Sequence, residues 1–121
     1  MLDAGALIAL ERADRATIAI LLRARTRKHA MIVPSPVLAQ VWREGARQAR
    51  LARFLGSTGV DIEALDDLRA RKAGQLCGVT GAHDIVDASV VVSAKEHRAS
   101  VVTSDPKDLH RLDASLQLIV V

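Results

Sequence analysis

Ala99-Ser100-Val101-Val102-Thr103-Ser104-Asp105-Pro106-Lys107-Asp108-Leu109 passes from a β-branched apolar run, through an acid, into a Pro-led segment of helical spacing. A short apolar run with no alternation is what a strand buried on both faces looks like. Asp before Pro is the usual opening of a helix. A second run, Leu118-Ile119-Val120, follows the helix. Strand, helix and parallel strand form the unit of an α/β fold, and such sheets bind ligands at the carboxyl ends of their strands. Asp105 stands at such an end.

Outward from this unit, the rest of the chain alternates in the same way. Residues 1–4 read as a very short strand, 6–12 as a helical turn or two, and 15–28 as an amphipathic helix carrying Ile18, Leu21 and Leu22. Residues 29–33 read as a strand, with Ser35 as N-cap and Pro36 at the first position of the next helix. That helix runs to about Arg43, is interrupted near Gly45 and continues to Leu55. A Gly56-Ser57-Thr58-Gly59 turn leads to a strand over 60–65, then a helix from Asp66-Asp67 to about Gly78, with Gly78 and Gly81 supplying the stop. Residues 83–97 form the most apolar helix despite Val90-Val91-Val92, because Ala88, Ala94, Lys95 and Glu96 favour helix. Strands over 98–103 and 116–121 flank a helix over 106–112. The expected architecture is α/β, a three-layer α/β/α sandwich with a mainly parallel central sheet, in one domain over 1–121.

Half of the 121 residues are hydrophobic, yet Trp42 and Phe54 are the only large aromatics, so the core is built from Ala, Leu, Val and Ile. A single cysteine, Cys77, excludes an internal disulfide and fits a reducing compartment. No apolar run approaches the ~20 residues of a membrane span, and no signal-peptide pattern opens the chain. The expected location is the cytoplasm. Seventeen Lys and Arg against fourteen acids leave a net charge of +3. That balance suits either a polyanionic partner or a solvated basic surface.

Asp3 and Asp105 stand at strand ends, and Asp87 lies on the apolar helix, where a carboxylate is costly to bury without a cation or hydrogen-bond partners. Converging carboxylates raise one another's pKa or recruit a hard cation. An oxygen-only set without a His–Cys pattern points to Mg²⁺ or Mn²⁺, which would polarise a phosphate and lower the pKa of a bound water. Each acid also has a structural explanation. Asp84 fits a helix N-terminus, Asp105 an N-cap and Asp108 a buttress of the same turn, whereas Asp3 has no evident cap or pair. His29, His83, His97 and His110 are scattered and read as structural or surface residues.

Leu2-Asp3-Ala4-Gly5-Ala6-Leu7-Ile8-Ala9-Leu10, Pro34-Ser35-Pro36-Val37-Leu38-Ala39, Val86-Asp87-Ala88 and Thr103-Ser104-Asp105-Pro106-Lys107-Asp108-Leu109 resemble, in order and spacing, the motifs of PIN-domain proteins, and among them VapC-type toxins. The resemblance implies a Mg²⁺- or Mn²⁺-dependent endoribonuclease that forms a homodimer and is inhibited by a cognate antitoxin. Carried over residue by residue, it assigns catalysis and metal binding to Asp3, Asp87 and Asp105, with Asp108 as a further acid and Thr103 and Ser104 as polar neighbours; Asp84 joins these supporting positions. The family's helix-borne Glu falls here on Gln40, which lowers the site's charge by one. Glu44, one helical turn on, either replaces that charge or pairs with Arg43 or Arg47. Arg43, Arg47, Arg50 and Arg53 recur at helical steps and form a candidate RNA-binding stripe, or a solvated or antitoxin-facing surface. Loss of the Glu leaves open a catalytically weak PIN-like RNA- or protein-binding module. A phosphatase with an aspartyl nucleophile would need an Asp at position 5, which is Gly5.

Overall fold

Two parallel ladders make the sheet. The computed structural model describes residues 1–121. Strand β1 (Met31–Pro34) pairs with β2 (Val60–Glu63), Met31 opposite Val60, and β3 (Val101–Thr103) pairs with β4 (Leu118–Val120), Val101 opposite Leu118. Residues 1–3 run between the ladders. The Leu2 N–H donates to the Ile32 carbonyl at 2.9 Å, and the Met1 carbonyl accepts from the Val102 N–H at 2.8 Å. The expected first strand over 1–4 is therefore reduced to one parallel bridge, Leu2 to Val102. The reason lies in Asp3, whose side chain caps a helix that starts at once, at Ala4.

Helices α1 (Ala4–Glu11) and α2 (Arg15–Thr26) precede β1; α3 (Ser35–Val41) and α4 (Ala49–Leu55) lie between β1 and β2. Helices α5 (Asp67–Thr80) and α6 (Ile85–His97) lead from β2 to β3, and α7 (Pro106–Leu112) joins β3 to β4. Helix α1 packs on α2, α3 and α4, while α6 packs on α3, α5 and α7. This is the α/β sandwich expected, with a parallel sheet. Its core is aliphatic: Leu2, Leu7, Val33, Val37, Leu51, Val90, Val91, Val101 and Leu109 have almost no exposed surface. Small residues let α6 sit close to its neighbours, since Ala88, Ser89, Ser93 and Ala94 are buried beside Val90 and Val91. No single helix is long and apolar enough to cross a membrane.

Three local expectations are corrected. Ser35 is not the N-cap of α3; Pro34 holds that position, and Ser35 is the first helical residue. The Ser35 hydroxyl instead accepts from the Leu65 N–H at 3.1 Å, tying the segment after β2 to the start of α3. Gly78 lies inside α5, and Gly81 alone ends it, in the left-handed conformation at φ 73 that glycine adopts without strain. The interruption near Gly45 is a full break over 42–48. Gln48 organises it: its side-chain oxygen accepts from the Arg43 and Glu44 N–H groups at 2.7 and 3.0 Å, and its amide donates to the Val41 carbonyl at 2.9 Å. These bonds satisfy polar groups at the end of α3 that a continuing helix would otherwise pair.

Candidate active site

Asp3 is nearly buried, at 6% exposure, and its Oδ1 accepts from the Ala6 N–H at 2.9 Å. The cap missing from the sequence reading is thus present. One carboxylate oxygen secures α1, and the N-terminus of that helix faces the negative charge. Burial nonetheless raises the Asp3 pKa, and the Asp105 charge adds to it, against the lowering influence of the Thr103 hydroxyl and the Ala6 and Gly5 amides. Thr103, fully buried at the end of β3, also accepts the Asp105 N–H on its hydroxyl at 2.9 Å. A single side chain therefore touches Asp3 and positions the backbone of Asp105.

Asp105 occupies the N-cap position of α7 but makes no side-chain cap bond. Its exposed carboxyl instead faces Asp108, and a hydrogen bond shared with that carboxyl, some loss of solvation and mutual repulsion raise its pKa. Asp108 meets Arg111 at 3.6 Å on the exposed rim. Asp84 caps α6, accepting from the Asp87 N–H at 3.0 Å. Asp87, half-buried in the first turn of α6, has its pKa pushed up to about 6, first by burial and then by the charges of Asp84, Asp108, Asp3 and Asp105. The structure thus brings Asp3, Asp84, Asp87, Asp105 and Asp108 into one electrostatic neighbourhood, with Thr103 between two of them.

Ser104 joins this neighbourhood through a close approach. A Cβ built on Gly5 would lie 2.0 Å from the Ser104 hydroxyl oxygen and 3.2 Å from its backbone nitrogen. Only glycine lets the β3–α7 connection come this near to α1. The aspartates are all-oxygen donors of the kind a hard divalent cation takes, and Arg111 at the rim is the sole ion-paired basic side chain beside them, but no three of their carboxylates come within 4.8 Å of one another.

Gln40 and Glu44 separate. Gln40 is exposed near the end of α3, whereas Glu44 falls in the break and pairs with Arg47 at 3.4 Å. The helical register that would place Glu44 one turn beyond Gln40 is absent, because α3 ends at Val41. The same break dismantles the arginine stripe. Arg43 donates to the Ala39 and Trp42 carbonyls, Arg47 pairs with Glu44, and only Arg50 and Arg53 share α4.

A second cluster escaped the sequence reading. Glu63 at the end of β2 accepts from the Ser93 hydroxyl, contacts His97 Nε2, and lies 3.4 Å from Arg69, which also binds Glu96 at 2.8 Å. His97 is therefore a buttress between α6 and β2. The ligand atoms of Glu63, Glu96 and His97 lie within 4.8 Å of one another and could hold a metal ion. Arg69 already places a positive charge on both carboxylates. Burial opposes the Glu63 charge, but Ser93, His97 and Arg69 outweigh it and keep the pKa low. Residues on three separate elements make this cluster, so no local spacing announces it.

Carboxylates at the carboxyl ends of parallel strands and at a helix N-terminus stand where α/β sheets of this kind bind their ligands. The chain belongs to the PIN domain family, whose model matches residues 1–115. PIN domains are generally metal-dependent nucleases. Comparison with curated proteins finds none that matches the chain.

Proposed function

We propose that the protein is a Mg²⁺- or Mn²⁺-dependent endoribonuclease, the VapC-like toxin of a type II toxin–antitoxin pair, with Asp3, Asp87 and Asp105 as its catalytic and metal-binding residues. The observation that supports this reading is the match to the PIN domain family over residues 1–115, with Asp3 and Asp105 at the carboxyl ends of parallel strands and Asp87 in the first turn of α6. Asp108 extends the set on the open side, and Thr103, Ser104 and Asp84 support it. A bound divalent cation supplies a polarised phosphate and a water acidic enough to attack it. The chain's own part is positional. Asp3 keeps one oxygen fixed by the Ala6 amide, Thr103 holds Asp3 and the Asp105 backbone in register, and Asp87 would hold the cation as a carboxylate. The partners of this reading are RNA, a second copy of the chain and a cognate antitoxin, with the cytoplasm as the place of action.

Gln40 in place of a carboxylate favours one alternative, a PIN-like module that binds RNA or protein with little or no cleavage. A panel of RNAs incubated with metal-stripped protein, with and without Mg²⁺ or Mn²⁺, separates the two. The nuclease reading expects metal-dependent cleavage that disappears in Asp3→Asn. Cleavage no greater than that of Asp3→Asn leaves the binding module.

A further inference from the structure

One basic side chain touches the acidic site, and it is held there by charge alone. Helix α7 buries Leu109 and Leu112 and turns Arg111, in its last turn, to the solvent. Helical side chains lean toward the N-terminus, so Arg111 folds back over the preceding turn. Its Nη1 stops 3.6 Å from the Asp108 carboxylate, and its side chain remains 80% exposed. That separation is too long for a hydrogen bond, so the guanidinium donors have no bonded partner. Asp108 in turn shares a hydrogen bond with the Asp105 carboxyl, and the Arg111 charge acts on Asp105 as well. None of the other Lys and Arg residues pairs with Asp3, Asp84, Asp87, Asp105 or Asp108.

A pairing of Asp with Arg three residues on is common on helices and is worth little at an exposed position. This one differs in what else its acid does. Asp108 belongs to a group of carboxylates whose only paired counter-charge is Arg111, and a divalent cation offers the same group twice that charge. The two positive groups repel, so a cation bound among the aspartates weakens the hold of Asp108 on Arg111. A guanidinium released at the edge of such a site presents its donors in a flat fork, the shape that grips a phosphate. A ribonucleotide chain carries a phosphate on either side of the one that is cut, and these are the anions that can replace Asp108.

We infer that Arg111 is the counter-ion of Asp108 in the metal-free protein and, once a divalent cation is bound, receives a phosphate of the RNA backbone flanking the one that is cut. This rests on the ribonuclease reading above. The test compares wild type, Arg111→Gln and Arg111→Lys, with Lys72→Gln on α5 as the control for a lost charge and circular dichroism to verify each fold. Calorimetry measures Mn²⁺ affinity without RNA, and steady-state cleavage of a 12-nucleotide single-stranded RNA at saturating Mn²⁺ gives KM and kcat. Arg111→Gln is expected to bind Mn²⁺ about threefold more tightly, since an exposed pair no longer competes with the ion. Its KM for the RNA is expected to rise about tenfold, the loss of a charge-assisted hydrogen bond, with kcat little altered. Arg111→Lys keeps the charge without the fork, so its Mn²⁺ affinity stays as in wild type and its KM falls between the other two. Lys72→Gln behaves as wild type. An unmoved KM in Arg111→Gln overturns the inference and leaves the nuclease reading intact. Unaltered or looser Mn²⁺ binding in that variant also overturns it, because Arg111 then does not compete with the ion. Wild type that binds no Mn²⁺, or binds it and cleaves no RNA, overturns the nuclease reading and the inference with it.

Discussion

Gly5 and Ser104 meet so closely that a methyl group on Gly5 would lie 2.0 Å from the Ser104 hydroxyl oxygen. These residues belong to the two segments that present Asp3 and Asp105, so their contact sets how far apart those carboxylates stand. Gly5→Ala pushes against the Ser104 backbone as well as its side chain. The expected cost is about 1–3 kcal/mol of stability, together with at least a tenfold fall in Mn²⁺ affinity. Removing the Ser104 side chain in Gly5→Ala/Ser104→Gly relieves most of the clash. Calorimetric titration and thermal unfolding check both variants; undiminished Mn²⁺ affinity in Gly5→Ala would show that the approach has no bearing on the site.

Asp87 makes the metal-free protein sensitive to pH in a defined direction. Its folded pKa, about 6, lies above the ordinary carboxylate value, so the native state binds the proton more tightly than the unfolded chain. Stability associated with this group is highest at acid pH and falls as the pH rises from about 4 to about 6. Fully shielded, such a group would oppose folding at neutral pH by about 3 kcal/mol; half-buried, it does so by about 1–2 kcal/mol after allowance for solvent screening. Asp87→Asn is therefore expected to be the more stable protein at pH 7.5 in chelator, by that amount. The advantage should vanish near pH 4, as urea unfolding at the two pH values will show.

Divalent ions should reverse this penalty. At a hundred times its dissociation constant, Mn²⁺ is expected to stabilise the wild type by about 2.7 kcal/mol. The shift in melting temperature should be absent in Asp3→Asn and Asp105→Asn. Gln40→Glu restores a carboxylate on α3 and is expected to tighten Mn²⁺ binding several-fold. Glu44→Gln should leave it unchanged, because Glu44 pairs with Arg47 beyond the end of the helix. The opposite pattern would mean that Glu44 reaches the ion.

Glu63 titrates with the opposite sign. Ser93, His97 and Arg69 hold its pKa low, so the stability it confers is present above the usual glutamate range and is lost as the pH falls through its folded value. Glu63→Gln removes charge-assisted hydrogen bonds from a mostly buried group and is expected to cost about 2 kcal/mol. Mn²⁺ affinity at the aspartates should not move, because the cluster braces β2 against α6 through residues away from Asp87. A large loss of Mn²⁺ binding in folded Glu63→Gln would assign the metal to the wrong cluster.

Much of this molecule was legible along the chain. The helix over 106–112, the amphipathic helix expected over 15–28 and found over 15–26, the apolar helix carrying Asp87 and the parallel pairing of β-branched runs follow from periodicity, Asp–Pro and Gly signals. These are local matters, settled by the steric and hydrogen-bonding preferences of neighbouring residues. The sequence also placed Asp3, Asp87 and Asp105 beside strand ends or on a buried helix. It misjudged Asp3 as uncapped, because residues 1–4 read as a strand and the helix was expected only from Ala6, whereas it starts at Ala4.

Tertiary structure decided what those residues face. Charge repulsion among five aspartates from three segments, the near contact of Gly5 with Ser104, and the Glu63–Ser93–His97–Arg69 network all join positions distant in sequence. The helix expected to carry Gln40, Glu44 and four arginines breaks where the Gln48 side chain pairs with the backbone, and that one side chain scatters the whole stripe. Asp3, Asp87 and Asp105 could be named from the sequence because strand ends and helix starts are written locally. Their shared pKa shifts could not, because a carboxyl's burial and neighbouring charges exist only once the sheet and α6 have packed.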